Sequence, residues 1–311
     1  MKWPDGKSFA FTIFDDTDLA VPGNVEDVYD ILGSLGMRTT KSVWPICSAG
    51  QPARGPEGST CEDPEYLRFV LGLQRAGFEI GYHNSSHFGV DRANVIRALD
   101  RFKELFGSDP DCMSNHQVNP EAVYWGPSRL SQPLRAMYAL FRANRGAIAH
   151  GGGHEAQSPH FWGDICQHRI RYVRNFVFAN INTLEQCSTM PYFDPARPMV
   201  RAWFASSYAS GWSSFENIMS EENQDQLEKS GGACILYTHF GSGFHDRSGR
   251  AQPRFRQLVQ RLAGKNGWFV PVRELLDYLV AERGLNQLSW SNRQSLEWRW
   301  FYQKLTRPIT E

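Results

Sequence analysis

Phe9-Ala10-Phe11-Thr12-Ile13-Phe14-Asp15-Asp16 is a short aromatic and β-branched run that stops on two carboxylates. Such residues pack well on a pleated surface, so the run reads as a strand. Val25, Val28, Ile31, Leu32 and Leu35 follow at a helical period. Gly36 then stands where a helix ends on a left-handed glycine. Residues 39–46 read as the next strand. The unit repeats with a helix over 66–76 stopped by Gly77, a strand over 78–82, and a helix over 93–106 ended by Gly107. Further strands are predicted at 112–116, 171–181, 199–206 and 233–239, and helices at 129–143, 214–229, 254–264 and 272–282. Repeated strand–helix units predict an α/β fold with a parallel sheet, either doubly wound or closed into a barrel. Asp15-Asp16, His83 and His239 all fall at predicted strand ends. Barrels gather their chemistry at that end, which favours the barrel. Residues 144–170, with Gly151-Gly152-Gly153 and several prolines, read as a long loop.

The 311 residues can bury a core without a disulfide or structural metal. Lys+Arg and Asp+Glu are equal at 33 each, and no basic run occurs, so a nucleic-acid partner is not expected. No apolar run reaches the length of a membrane span. The opening residues, Met1 to Lys7, carry no leader-like apolar stretch, and the six cysteines include no CxxC pair. Reduced thiols and a cytoplasmic location are the expectation.

Three features carry chemistry. In His83-Asn84-Ser85-Ser86-His87, histidines at i and i+4 share a face if the segment forms a helical turn, and both imidazoles then reach one metal. The alternative is two polar residues in a turn. A second such pair, His150 and His154, encloses three glycines that oppose a helical turn, and reads as a loop feature. Asp15-Asp16 places two carboxylates side by side, a pairing that a cation relieves. The competing reading is a turn or helix cap, a role for which Asp18 and Asn24 also compete. His239 ends an apolar strand just before Phe240-Gly241, either facing a barrel mouth or buried in the core.

Taken in order, these features resemble the NodB-like polysaccharide deacetylases, carbohydrate esterase family four. Thr12-Ile13-Phe14-Asp15-Asp16 is similar to that family's Thr-Phe-Asp-Asp strand end. Gly77-Phe78-Glu79-Ile80-Gly81-Tyr82-His83-Asn84-Ser85-Ser86-His87 is similar to its Gly-x-Glu-Ile-Gly and His-Ser/Thr-x-x-His stretch, with Asn84 for Ser/Thr. Leu236-Tyr237-Thr238-His239 is similar to its Leu-x-His ending, with one extra residue. The resemblance spans roughly residues 8–280. The family's Arg-Pro-Pro motif is absent, and Ser114-Asn115-His116-Gln117, then Tyr124-Trp125-Gly126, stand in its place. Its Asp-x-x-Asp-Trp motif is also missing, with Phe161-Trp162-Gly163-Asp164 a weak counterpart, and Thr17 follows Asp16 where the family has glycine.

The resemblance implies a distorted (β/α) barrel over residues 1–284, with 285–311 as a helical tail packing on it. It implies a hydrolase that removes an N-acetyl or other acyl group from an amino sugar or polysaccharide. Asp16, His83 and His87 would hold a divalent ion, zinc first, with cobalt, nickel or manganese suiting the same donors. Asp15 would be the base, His239 the acid, and Arg174 or His116 would replace the missing arginine that orients the base. Trp44, His116, Trp125 and Tyr208 are the candidate substrate contacts. Competing expectations are a metal-independent hydrolase of a small amide or ureide, a glycan-binding relative without turnover, and a non-haem iron oxygenase using two histidines and a carboxylate. The tail, with Trp290, Trp298, Trp300, Phe301 and Tyr302 among basic residues, packs on the domain in the favoured reading and meets a membrane surface or partner protein in the other.

Overall fold

The computed structural model describes residues 1–117, 119–143 and 151–307. Its strands are β1 (Phe9–Asp15), β2 (Thr40–Val43), β3 (Arg54–Gly55), β4 (Gly58–Ser59), β5 (Glu79–Tyr82), β6 (Cys112–Met113), β7 (Tyr172–Phe178), β8 (Tyr192–Phe193), β9 (Trp203–Ala209), β10 (Ala233–Thr238), β11 (Gly267–Phe269) and β12 (Asn286–Gln287). The helices are α1 (Pro22–Ser34), α2 (Pro64–Arg75), α3 (Arg92–Phe106), α4 (Leu134–Ala143), α5 (Gly163–Arg169), α6 (Thr183–Gln186), α7 (Trp212–Ile218), α8 (Glu221–Ser230), α9 (Pro253–Ala263), α10 (Val272–Arg283) and α11 (Trp290–Thr306).

β1, β2, β5, β6, β7, β9 and β10 pair in that order, all parallel, and β10 returns to β1. The sheet is therefore a closed barrel. Its distortion has a local cause at β1. The first half of β1 pairs with β11 and the last two residues with β2, so one flank changes partner midway. β1 is buried along its whole length, as a strand covered on both faces must be, and this explains its mostly apolar run.

The helical periods are realised with recognisable ends. Asp91 caps α3 by accepting from the Asn94 N–H at 2.9 Å, and Gly107 closes it at φ 87°. Several elements differ from the sequence expectation. Residues 163–169, expected in a loop, form α5, which is too short for its period to stand out beside the glycines. The single helix expected over 214–229 is two, because Ser220 ends one and caps the next by accepting from Asn223 N–H. The helix expected over 129–143 begins at Leu134, and Arg129 instead ends a 3-10 turn over Gly126–Arg129. The strand expected over 112–116 pairs only through Cys112 and Met113, which frees Ser114, Asn115 and His116 for the barrel mouth. His150 lies outside the described residues.

α11 packs on α4 and β7, with Trp300 buried between Tyr138 and Phe176. A buried charge network fixes it. Asp194 accepts from Arg197 at 2.5 Å and from Arg293 at 2.5 and 2.9 Å. Glu297 accepts from Arg197 at 2.9 Å and from the Ser131 N–H and hydroxyl. Trp290, Trp298 and Tyr302 remain exposed on the opposite side. No helix among the described residues is long and apolar enough to cross a membrane.

Removing one member of a buried network leaves its partners charged and unpaired. Glu297→Ala is expected to cost about 3–5 kcal/mol in urea unfolding. A loss within about 0.5 kcal/mol, as for an ordinary surface substitution, would show that the network does not hold the helix.

Candidate functional site

The carboxyl ends of β1, β5, β6 and β10 carry Asp15 to Asp18, His83, Ser114 to His116, and His239. Barrel closure brings them to one mouth. Adjacent residues on a strand point to opposite faces, and the two aspartates separate on that rule. Asp15 turns to the helix layer. One oxygen meets Lys41 Nζ at 2.8 Å and the Tyr29 hydroxyl at 2.8 Å, and the other accepts from Phe240 N–H at 2.8 Å. Asp15 and Lys41 are both fully buried. Burial opposes the Lys41 charge, but Asp15 beside it wins and raises the lysine pKa.

Asp16 faces the barrel interior. Arg174 grips it with two bonds, 3.0 Å to Oδ1 and 2.6 Å to Oδ2. The Ser114 hydroxyl donates to its Oδ1 at 2.8 Å and stands 2.7 Å from His83 Nδ1. Since that hydroxyl proton goes to Asp16, Ser114 Oγ accepts from His83 Nδ1–H. Burial pushes the Asp16 pKa up, yet Arg174 overrides it and the net shift is downward. The carboxylate stays ionised.

Asp18, two residues on, gathers three histidines. His83 Nε2 lies 2.9 Å from its Oδ2, His116 Nε2 2.9 Å from its Oδ1, and His239 Nε2 3.4 Å from its Oδ2. Each Nδ1 is committed elsewhere. His83 Nδ1 donates to Ser114, His116 Nδ1 to the Asn119 side-chain oxygen at 3.0 Å, and His239 Nδ1 to the Ser210 carbonyl at 2.6 Å. In the neutral tautomers these bonds impose, all three Nε2 atoms present lone pairs to a carboxylate that can only accept. His83 Nε2 and Asp18 Oδ2 are buried and have no hydrogen-bond partner.

Lone pairs facing lone pairs need a positive charge between them. Either the imidazoles are protonated or a cation binds. Asp18, His83 and His116 have ligand atoms within 4.8 Å of one another, and so do Asp16, Asp18 and His239. The first group is the better cation site, because Arg174 already neutralises Asp16. One carboxylate and two imidazoles with fixed Nδ1–H bonds suit zinc. The contacts of 2.9 Å must open to roughly 3.4 Å, the spacing of tetrahedral ligand atoms near 2.1 Å from an ion. Among the shifts here, burial raises the Asp18 carboxyl but the histidines, His83 first, hold it well below the usual range. Burial lowers His239, but Asp18 and Asp16 carry it up to about 9.

Neither a family model nor a curated protein sequence matches the chain. Among solved structures, it is similar to a putative polysaccharide deacetylase from Mycobacterium smegmatis, with TM-score 0.53 and 12% identity over 92% of this chain and 95% of that one. The Puue allantoinase gives 0.51 and 12% identity over 91% and 94%. A probable polysaccharide deacetylase from Pseudomonas aeruginosa PAO1 gives 0.51 and 10% identity over 91% and 95%. The chain shares their fold. At such identities the likeness is one of fold.

On that footing the expected residues fall into two sets. Asp16, His83, His116, Trp125, Arg174 and His239 line one cleft of ≈ 170 Å³, together with Asp18 and Tyr237. Asp15, His87, Trp44 and Tyr208 are not among its lining residues. His87 belongs to neither ligand group. The reason is backbone geometry: Asn84 sits at φ 59°, so residues 83–87 do not form the helical turn that i, i+4 spacing suggests. Asn84 instead accepts from His116 N–H at 2.6 Å and seats that histidine. His87 lines a neighbouring pocket with Cys47, Pro52, Glu57 and Phe88. Trp44 is buried, stacked on His83 and edge-on to His87 and His116, so it is packing beneath the histidines. Tyr208 is half-buried and accepts from the Ser210 hydroxyl at 2.8 Å. His154 accepts from Tyr124 N–H at 3.1 Å and packs on that ring.

Sequence reasoning gave Asp18 only a capping role and gave His116 no place in the metal shell. Spacing held no signal for either, since they meet across 98 residues of chain. Support for His116 comes from the glycine triplet. Gly153 lies against Glu121, where an added Cβ would meet its carbonyl oxygen at 2.1 Å. This close approach holds residues 119–125, and Asn119 among them also donates to Glu121 and to the Ser86 carbonyl.

Zinc uptake separates the two ligand sets. His83→Ala and His116→Ala are expected to lose bound zinc in elemental analysis after dialysis, while His87→Ala keeps it. Loss in His87→Ala with retention in His116→Ala would restore the i, i+4 pair. Lys41→Met strands Asp15 and is expected to cost about 3–5 kcal/mol in urea unfolding without lowering zinc content. Zinc loss at unchanged stability would instead tie Asp15 to the ion.

Proposed function

We propose that this protein hydrolyses an N-acyl amide carried by a carbohydrate, with a divalent cation, zinc first, held by Asp18, His83 and His116. The observation that carries the reading is the convergence of three Nδ1-committed imidazoles on the Asp18 carboxylate. The fold likeness to structures described as polysaccharide deacetylases points to the amide and the sugar.

A divalent ion in this position supplies Lewis acidity for the amide carbonyl and lowers the pKa of water. The chain's own groups handle the protons. Asp16, aimed by Arg174 and Ser114, accepts the proton of the attacking water. His239, anchored through Nδ1 on Ser210, presents Nε2 to the cleft and gives a proton to the departing nitrogen. The C–N bond breaks, the acyl group leaves as a carboxylate and the sugar as an amine. Asp15, turned away from the cleft, acts in this reading as the partner that keeps Lys41 buried. Trp125 and Tyr237 supply aromatic walls against which a sugar ring packs.

A second reading is a metal-independent hydrolase of a small amide or ureide, with the histidines protonated. The direct 2.9 Å contacts of Asp18 with His83 and His116 favour it, because they leave no gap for an ion without movement.

The test is acetate release from N-acetylated chitooligosaccharides. Activity is expected to vanish on chelation and return with zinc, and Asp16→Asn is expected to lose at least about 10²-fold in kcat while keeping its zinc. Activity that survives chelation would select the second reading. A near-wild-type rate in Asp16→Asn would remove it as the base.

A further inference from the structure

Trp125 is the one tryptophan that lines the described cleft, and its ring is not held by the barrel alone. The Arg129 guanidinium lies 4.0 Å from the centroid of the Trp125 ring and 5.1 Å from that of Trp300 on α11. Arg129 is thus a buried plate between a cleft wall and the C-terminal helix. Trp300 is itself fixed by Tyr138, Phe176 and the Lys304 ammonium, 5.8 Å from its ring.

The backbone around Arg129 is gripped from the same side. Glu297 of α11 accepts from both the N–H and the hydroxyl of Ser131. Arg197, which Glu297 also binds, donates to the Ser128 carbonyl at 3.4 Å. The turn that presents Trp125 needs such a grip. Tyr124 sits at φ 48°, a conformation unfavourable for a non-glycine residue, and Gly126 follows at φ 60°. Backbone of this kind persists only where its surroundings over-determine it.

We propose that α11 is a positioning element of the substrate cleft: Trp300, acting through Arg129, holds Trp125 as the wall against which the substrate packs. This rests on the functional reading above for the identity of the substrate, but the mechanical link from tail to wall does not. It gives the aromatic, basic C-terminal segment a role beyond covering the barrel. Arg129 and Trp300 touch neither Asp18 nor its histidines, so the ion is indifferent to them.

The test uses the full chain with Arg129→Met, Trp300→Leu and the conservative Trp300→Phe. Zinc content, amide hydrogen exchange over residues 122–131, and kinetics on triacetylchitotriose are measured on each. Arg129→Met and Trp300→Leu are expected to bind zinc as wild type and to exchange about tenfold faster over 122–131. KM should rise about tenfold, the scale of a desolvated cation–π contact, with kcat within about threefold. Trp300→Phe keeps an aromatic face and should restore most of both effects. Should Trp300→Leu fail to fold, Arg129→Met carries the test. Wild-type exchange over 122–131 in Arg129→Met overturns the proposal, as does a kcat loss with KM unchanged. If the wild type releases no acetate, the functional reading fails while hydrogen exchange still decides the link between α11 and Trp125.

Discussion

The barrel mouth depends on a conflict of lone pairs. Three imidazoles have their Nδ1 protons assigned to Ser114, Asn119 and Ser210, and their other nitrogens then face the one carboxylate of Asp18. His83 Nε2 and Asp18 Oδ2 are both buried where they meet. A positive charge must sit at the junction, as protons or as a metal ion. Most local features of the mouth follow from keeping this arrangement in place. Asn84 adopts a left-handed conformation to seat His116, residues 119–125 are braced by the glycine triplet, and Ser114 couples His83 to Asp16.

The second organising fact is the alternation of a strand. Asp15 and Asp16 are neighbours in sequence and opposites in space. Asp15 pairs with a buried lysine in the layer between barrel and helices, while Asp16 meets Arg174 inside. Each buried carboxylate has a cation of its own, so neither needs the ion that the histidines call for. The candidate cation site lies instead at Asp18, just past the strand end.

These details explain what could be read beforehand. The barrel was legible because strands such as β1 and β10 are mostly apolar runs and its helices keep a period of 3.6, with Gly36, Gly77 and Gly107 at left-handed positions after their helices. His83, Trp125 and His239 were legible as residues at or after strand ends, and Arg174 as the stand-in for the arginine that the resemblance implies; all line the cleft. The i, i+4 spacing of His83 and His87 pointed to a helical turn, and one residue, Asn84, removes it. Asp18 and His116 lie in loops, where spacing has no fixed meaning, and their meeting depends on the closure of the barrel. α5 was hidden because seven residues give less than two full turns of periodicity.

The fold is shared with deacetylases and with an allantoinase, so the fold alone does not choose the chemistry. In the proposed function the ligand set does. Anomalous diffraction at the zinc edge from crystals of the zinc-loaded protein measures it most directly. The account predicts one peak about 2.0–2.2 Å from Asp18, His83 Nε2 and His116 Nε2. A peak shared by Asp16, His83 and His87, or no peak at saturating zinc, would contradict it.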